Sequence, residues 1–176
     1  QTISRPLVGS GTGRPAQSGL FDTETCHMPK AKTEAQFLGA SAEETEAAFY
    51  DALQSADIER LMACWSDDED IVCVHPGGPR IVGHVAIRAT FESIFANGSI
   101  QARPEHVRKI EGLSSVVHNV LERVNVMTPT GPSQAYVLAT NVYHKTGQGW
   151  RMVAHHASPG NQSEVQEIHE APQVLH

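Results

Sequence analysis

The sequence predicts an α+β domain in which a curved antiparallel sheet packs on helices, and three observations carry that expectation. Stretches of helical and strand period follow one another in the order helix, helix, strand, strand, helix and then four strands. The last three strands are joined by short runs of turn formers, which makes them an antiparallel meander. A sheet with its helices on one face is the simplest arrangement that buries such a set.

The first element opens at Ser41-Ala42-Glu43-Glu44, a capping box in which Ser41 can accept from the amide of Glu44 while the Glu44 carboxylate returns the bond. Ala48, Phe49, Ala52 and Leu53 then recur at helical spacing. Asp57 caps a second, shorter helix whose apolar face is Ile58, Leu61, Met62 and Trp65. Ile71 to His75 reads as a strand, Arg80 to Val82 as another, and Val85 to Phe95 as a third helix closed by Asn97-Gly98. Strands follow at Arg103 to Glu111, Ser115 to Met127, Gln134 to Lys145 and Trp150 to Ser158. Between them lie Gly112, Thr128-Pro129-Thr130-Gly131-Pro132 and Thr146-Gly147-Gln148-Gly149, all rich in turn formers.

The body is therefore read as residues 41–159. Residues 1–40 carry Pro6, Gly9, Gly11, Gly13, Pro15 and Pro29 in no helical or strand period, and read as an irregular arm. Met28-Pro29-Lys30 resembles a natural start, so residues 1–27 read as an upstream extension. Residues 160–176 are polar and acidic and read as a tail.

A chain of 176 residues and 19.1 kDa suits one domain with a real core. Thirteen basic against 20 acidic residues give a net charge of -7, which argues against nucleic acid or an anionic membrane surface as partner. A small molecule or another protein fits better. Cys26, Cys64 and Cys73 are odd in number and lack CxxC spacing, so they read as free thiols in a reducing, cytoplasmic compartment. No apolar run approaches the roughly 18 residues of a membrane helix.

The chemistry-bearing segment is WSDDEDIVCVHPGGPRIVG, residues 65–83, where a short apolar strand delivers His75 to a Pro-Gly-Gly-Pro turn. A histidine there is held by a rigid element yet can face a cavity. Ten histidines invite a metal hypothesis, but His155 and His156 are adjacent on a strand and point to opposite faces. The run Asp67-Asp68-Glu69-Asp70 lacks the spacing and glycine of a calcium loop. Neither a metal nor a cofactor is expected.

The order of elements, with residues 53–95 at its centre and WRMVAHHAS as the closing strand, resembles the nuclear transport factor 2-like superfamily, and within it the SnoaL-like and ketosteroid isomerase-like domains. WRMVAHHAS is also similar to the association domain of calcium/calmodulin-dependent kinase. The resemblance implies a cone: a bent sheet wrapped on three helices, a pocket inside, and a dimer formed through the outer sheet face. On that face Val117, Leu121, Leu138 and Val142 would meet a second copy.

Related isomerases keep a carboxylate base where this chain has His75, and neutral imidazole can also accept a proton near pH 7. Their tyrosine and aspartate oxyanion donors match Phe49, which has no donor, and Asn141, which has an amide. Tyr50 lies about 100° around the helix from Phe49 and is expected to point elsewhere. If Asn141 faces inward, strand parity brings Val137, Ala139 and Tyr143 with it. On the last strand the resemblance turns Trp150, Met152, Ala154, His156 and Ser158 inward and His155 outward. The expected site thus has His75, Asn141 and His156 as chemical groups, with Phe49, Trp65, Tyr143 and Met152 lining a largely apolar pocket.

Two classes of function follow. One is a domain that binds a small, mostly apolar molecule or serves only for assembly. The other is a cofactor-independent isomerase, dehydratase or cyclase with His75 as general base.

Overall fold

In the computed structural model, residues 39–161 are described; the arm at 1–38 and nearly all of the expected tail lie outside them. Helix α1 spans Ala42–Ser55, α2 Ile58–Ala63 and α3 His84–Phe95. The strands are β1 Val72–Val74, β2 Arg80–Val82, β3 Gln101–Glu111, β4 Ser115–Thr128, β5 Gly131–Thr146 and β6 Gly149–Gly160. They form one sheet in the order β2-β1-β6-β5-β4-β3, antiparallel throughout except where β1 runs parallel to β6. The α+β architecture, three helices on a curved sheet, is the one the sequence predicts.

Local chemistry explains the element ends. The Ser41 hydroxyl accepts from the Glu44 amide at 3.2 Å, and the Glu44 carboxylate accepts from the Ala40 amide, one residue before the expected partner. Asp57 accepts from the Arg60 amide at 3.0 Å and starts α2. The turn joining β4 to β5 is tighter than its run of turn formers implies. Thr128 pairs with Gly131, whose φ of 117° only glycine adopts freely, so the strands extend to within two residues of each other.

Two bulges bend the sheet. In β3 the register shifts between Glu105 and Arg108, where His106 takes a φ of 47°. In β6, Val142 pairs with Ala154 but Tyr143 pairs with Met152, leaving Val153 as the extra residue. A bulge increases local twist and reverses which side chains face which side beyond it.

The core lies between the concave face of the sheet and the helices, and is built from Phe49, Leu61, Ile71, Ile87, Phe91 and Val120. Phe49 stands at its centre, edge-on to Tyr50, Trp65 and Phe91 at 5.4, 6.4 and 6.4 Å between ring centroids. Cys64 and Cys73 are buried, and desolvation pushes both thiols up to about 12, where they act as small hydrophobes. Among the described residues no helix is long and apolar enough to cross a membrane.

Candidate functional site

A cavity of about 200 Å³ opens between α1, α3 and the concave side of the sheet. Leu53, Phe91, Ile100, Val124 and Val137 make its walls apolar. Among the described residues three polar side chains also line it: His75, Glu122 and His155.

His75 follows β1 as the first residue of a turn closed by Gly78 N–H donating to His75 C=O at 2.9 Å. Pro76 and Gly77, with Gly77 at a φ of 72°, occupy the two central positions that a type II turn assigns to them. The His75 ring stands edge-on to Phe91 at 5.1 Å and has its Nε2 3.7 Å from Cys73 Sγ. Burial pushes its pKa below the ordinary histidine value and favours neutral imidazole.

Glu122 and His155 reach the cavity from β4 and β6, and each is backed by polar groups behind the wall. The Tyr50 hydroxyl donates to Glu122 Oε1 at 2.7 Å. Asn141 Nδ2 lies 3.4 Å from both the Tyr50 hydroxyl and Glu46 Oε1, and Asn141 Oδ1 lies 2.7 Å from His155 Nδ1. Deeper still, Tyr143 OH donates to Glu46 Oε1 at 3.5 Å. His118 Nδ1 stands 3.0 Å from Glu46 Oε2 without the alignment of a hydrogen bond.

Desolvation raises the Glu122 carboxyl to about 7, against the lowering effect of the Tyr50 hydrogen bond and with help from Glu46. Desolvation, with smaller contributions from His75 and His156, lowers His155 to about 3, so that imidazole is neutral across the physiological range. The phenols of Tyr50 and Tyr143 are pushed up, first by burial, and stay protonated donors. Of the cavity groups, Glu122 is the one poised to exchange a proton near neutral pH.

The structure places the sequence candidates unevenly. Phe49 and His75 line the cavity. Asn141 is fully buried one layer behind it and touches Tyr50, Glu46 and His155, so it positions other groups. Tyr143 and Met152 are buried beside the cavity without lining it. Trp65 is buried too, borders a separate hollow with His84 and Arg151, and pairs its backbone with Met152.

His156 is corrected outright. It is exposed, and His155 takes the inward place, because the extra residue Val153 reverses the parity of β6 after Met152. The expectation for Tyr50 also fails. The sheet curls around α1 far enough to bury Thr45, Glu46, Phe49, Tyr50 and Leu53 together, so a residue 100° from Phe49 still points into protein.

Glu46, Tyr50, Glu122 and His155 therefore stand in the site without having been sequence candidates. Glu122 had a readable signal, since it shares strand parity with His118, Val120 and Val124.

Residues 42–162 match the family model of the SnoaL-like domain. The chain belongs to the SnoaL-like family. Solved structures agree with that placement. A protein from Thiobacillus denitrificans, provisionally named a calcium/calmodulin-dependent protein kinase type II association domain, is 34% identical over 70% of this chain and 98% of its own, with a TM-score of 0.64. A provisionally named dehydratase of the nuclear transport factor 2-like family from Streptomyces avermitilis is 26% identical over 76% of this chain and 99% of its own, with a TM-score of 0.62. A ketosteroid isomerase-like protein from Erwinia carotovora atroseptica, 18% identical over 68% of this chain and 93% of its own at a TM-score of 0.56, shares the fold. No curated protein matches the chain.

These SnoaL-like relatives carry names from both catalysis and assembly, so the family does not select a reaction. The cavity itself carries the chemistry that can discriminate. Its walls suit hydrocarbon, its three polar groups are gathered from different elements, and the carboxyl among them titrates where a proton can be given or taken.

Proposed function

We propose that this SnoaL-like domain binds a small, mostly apolar molecule in the cavity lined by Phe49, His75, Glu122 and His155. One observation carries the reading: apolar walls enclose about 200 Å³ while Glu122 and His155 present edges that no other described residue engages. An apolar cavity of roughly 150 Å³ holds benzene, so the space admits one ring with a short polar substituent.

The test is a two-dimensional NMR titration of the full chain with toluene and indole. Shifts centred on His75, Phe91, Val137 and Ala157 are expected, together with their loss in Ala157→Leu, which fills the space. Toluene and indole leaving those signals unmoved would sink the reading.

An enzyme of the isomerase, dehydratase or cyclase type is the second reading, favoured by Glu122 holding a proton up to about pH 7 opposite neutral His75. Here Glu122 is the stronger acid–base candidate, because burial has weakened His75 as a base. Assembly is a compatible role. On the convex face Val117 pairs with Val142 and Leu121 with Leu138, and the polar pair Asn119–Thr140 lies between them. With Leu121 already buried, it is Val117, Leu138 and Val142 that a homodimer would cover.

A further inference from the structure

The polar end of the cavity has a direction that the residues behind it impose. Tyr50 gives its single proton to Glu122 Oε1, so its oxygen can only accept from Asn141, and the Asn141 amide nitrogen must face it. Asn141 Oδ1 then faces His155 and requires the proton on Nδ1. The lone pair of His155 is left on Nε2, the ring nitrogen with no described partner, and His155 is one of the residues lining the cavity. Because Tyr50 occupies Oε1, a neutral Glu122 carries its proton on Oε2, the oxygen no protein donor reaches among the described residues. The end of the cavity formed by Glu122 and His155 thus offers one donor and one acceptor, joined behind the wall through Tyr50 and Asn141, apart from whatever His75 presents.

Resting on the small-molecule reading above, we propose that the cavity selects an uncharged, single-ring-sized molecule with a carboxamide end, Glu122 donating to its carbonyl oxygen and His155 Nε2 accepting from its N–H. A carboxylate ligand has no donor for His155 and would bring a charge into a space walled by Phe91, Val124 and Val137. Raising the pH reverses the preference. Titratable groups facing Glu122 are Tyr50 and Glu46 on α1, His75 after β1 and His155 on β6, while β5 presents Val137 and α3 Phe91. None supplies a positive charge near neutral pH, so an ionised Glu122 turns the end into two acceptors and invites a cationic amine instead.

The experiment is calorimetric titration of the full chain with benzamide, benzoate, benzylamine and toluene. At about pH 6 benzamide is expected to bind at least about tenfold more tightly than toluene or benzoate, the gain of a matched donor–acceptor pair. At about pH 8.5 benzamide should weaken by about tenfold or more while benzylamine strengthens. In Glu122→Gln, whose amide keeps the acceptor for Tyr50 and a permanent donor toward the cavity, benzamide binding should be independent of pH.

Benzamide binding no tighter than toluene, or a pH dependence that survives in Glu122→Gln, overturns this proposal and leaves the cavity reading standing. Failure of all four compounds to bind overturns both. The ranking in the unaltered protein decides the matter even if the variant does not fold.

Discussion

The buried polar groups on the two sides of Asn141 obey different rules. On one side Glu46 is enclosed by Asn141, Tyr143 and His118, and its contacts end within the protein. On the other, Glu122 and His155 are each held by one partner and keep a second valence turned to the cavity. Both carboxylates are nearly inaccessible to solvent, at 7% and 6% exposure, so burial alone does not distinguish them. What separates these two carboxylates is that protein groups meet both oxygens of Glu46 and one oxygen of Glu122; His118 stands outside that rule, with neither ring nitrogen in an aligned hydrogen bond.

The largest expected effect comes from breaking the closed side. Glu46→Ala leaves Tyr143 without an acceptor, takes from Asn141 Nδ2 one of its two acceptors and from His118 its carboxylate, and should cost roughly 3–5 kcal/mol in urea unfolding. Asn141 would also lose one of the contacts that orient His155. A loss below about 1 kcal/mol would mean that the Glu46 group contributes little, and the contrast between the two sides would fail.

On the open side the effect depends on pH. Folded Glu122 keeps its proton to about 7, whereas an unfolded glutamate releases it near 4.5. Between those values the folded state holds more protons, so stability falls as pH rises, by about 3 kcal/mol at most. His155 runs the other way: the folded ring releases its proton near 3 and the unfolded one near 6.5, so stability rises with pH between them. From pH 4.5 to 6.5 the two slopes oppose each other. In Glu122→Gln only the rising limb remains, and stability relative to the unaltered chain should climb from about pH 4.5 to pH 7, read from urea midpoints at each pH. A constant difference would show that Glu122 ionises normally.

The same contrast explains what could be read from the sequence. Helix starts were legible at Ser41 and Asp57 because capping depends on residues three positions apart. His75 was legible because Pro76 and Gly77 announce its turn. The site as a whole was not, because it depends on non-local geometry. Trp150 to Ser158 holds no Gly or Pro to betray the bulge at Val153, and that one residue exchanged His156 for His155. Tyr50 was missed because the width of the buried stripe on α1 is set by how far the sheet curls, which no helical period records.

Helix α1 carries Glu46 to the closed side and Tyr50 to the open side, so both depend on where that helix ends. It ends at Ala56, which adopts φ 55° and ψ 35°, with Asp57 N–H donating back to Ala52 C=O at 3.0 Å. An alanine in this left-handed conformation costs about 1 kcal/mol that glycine avoids, in part offset by glycine's freer unfolded state. Ala56→Gly should therefore stabilise the chain by roughly 0.5–1 kcal/mol in thermal or urea unfolding. The gain should be the same at every pH, since neither Glu46 nor Glu122 is touched. A gain that varied with pH would mean that the end of α1 sets the hydrogen bonds of Tyr50, and that the open and closed sides are one coupled unit rather than two.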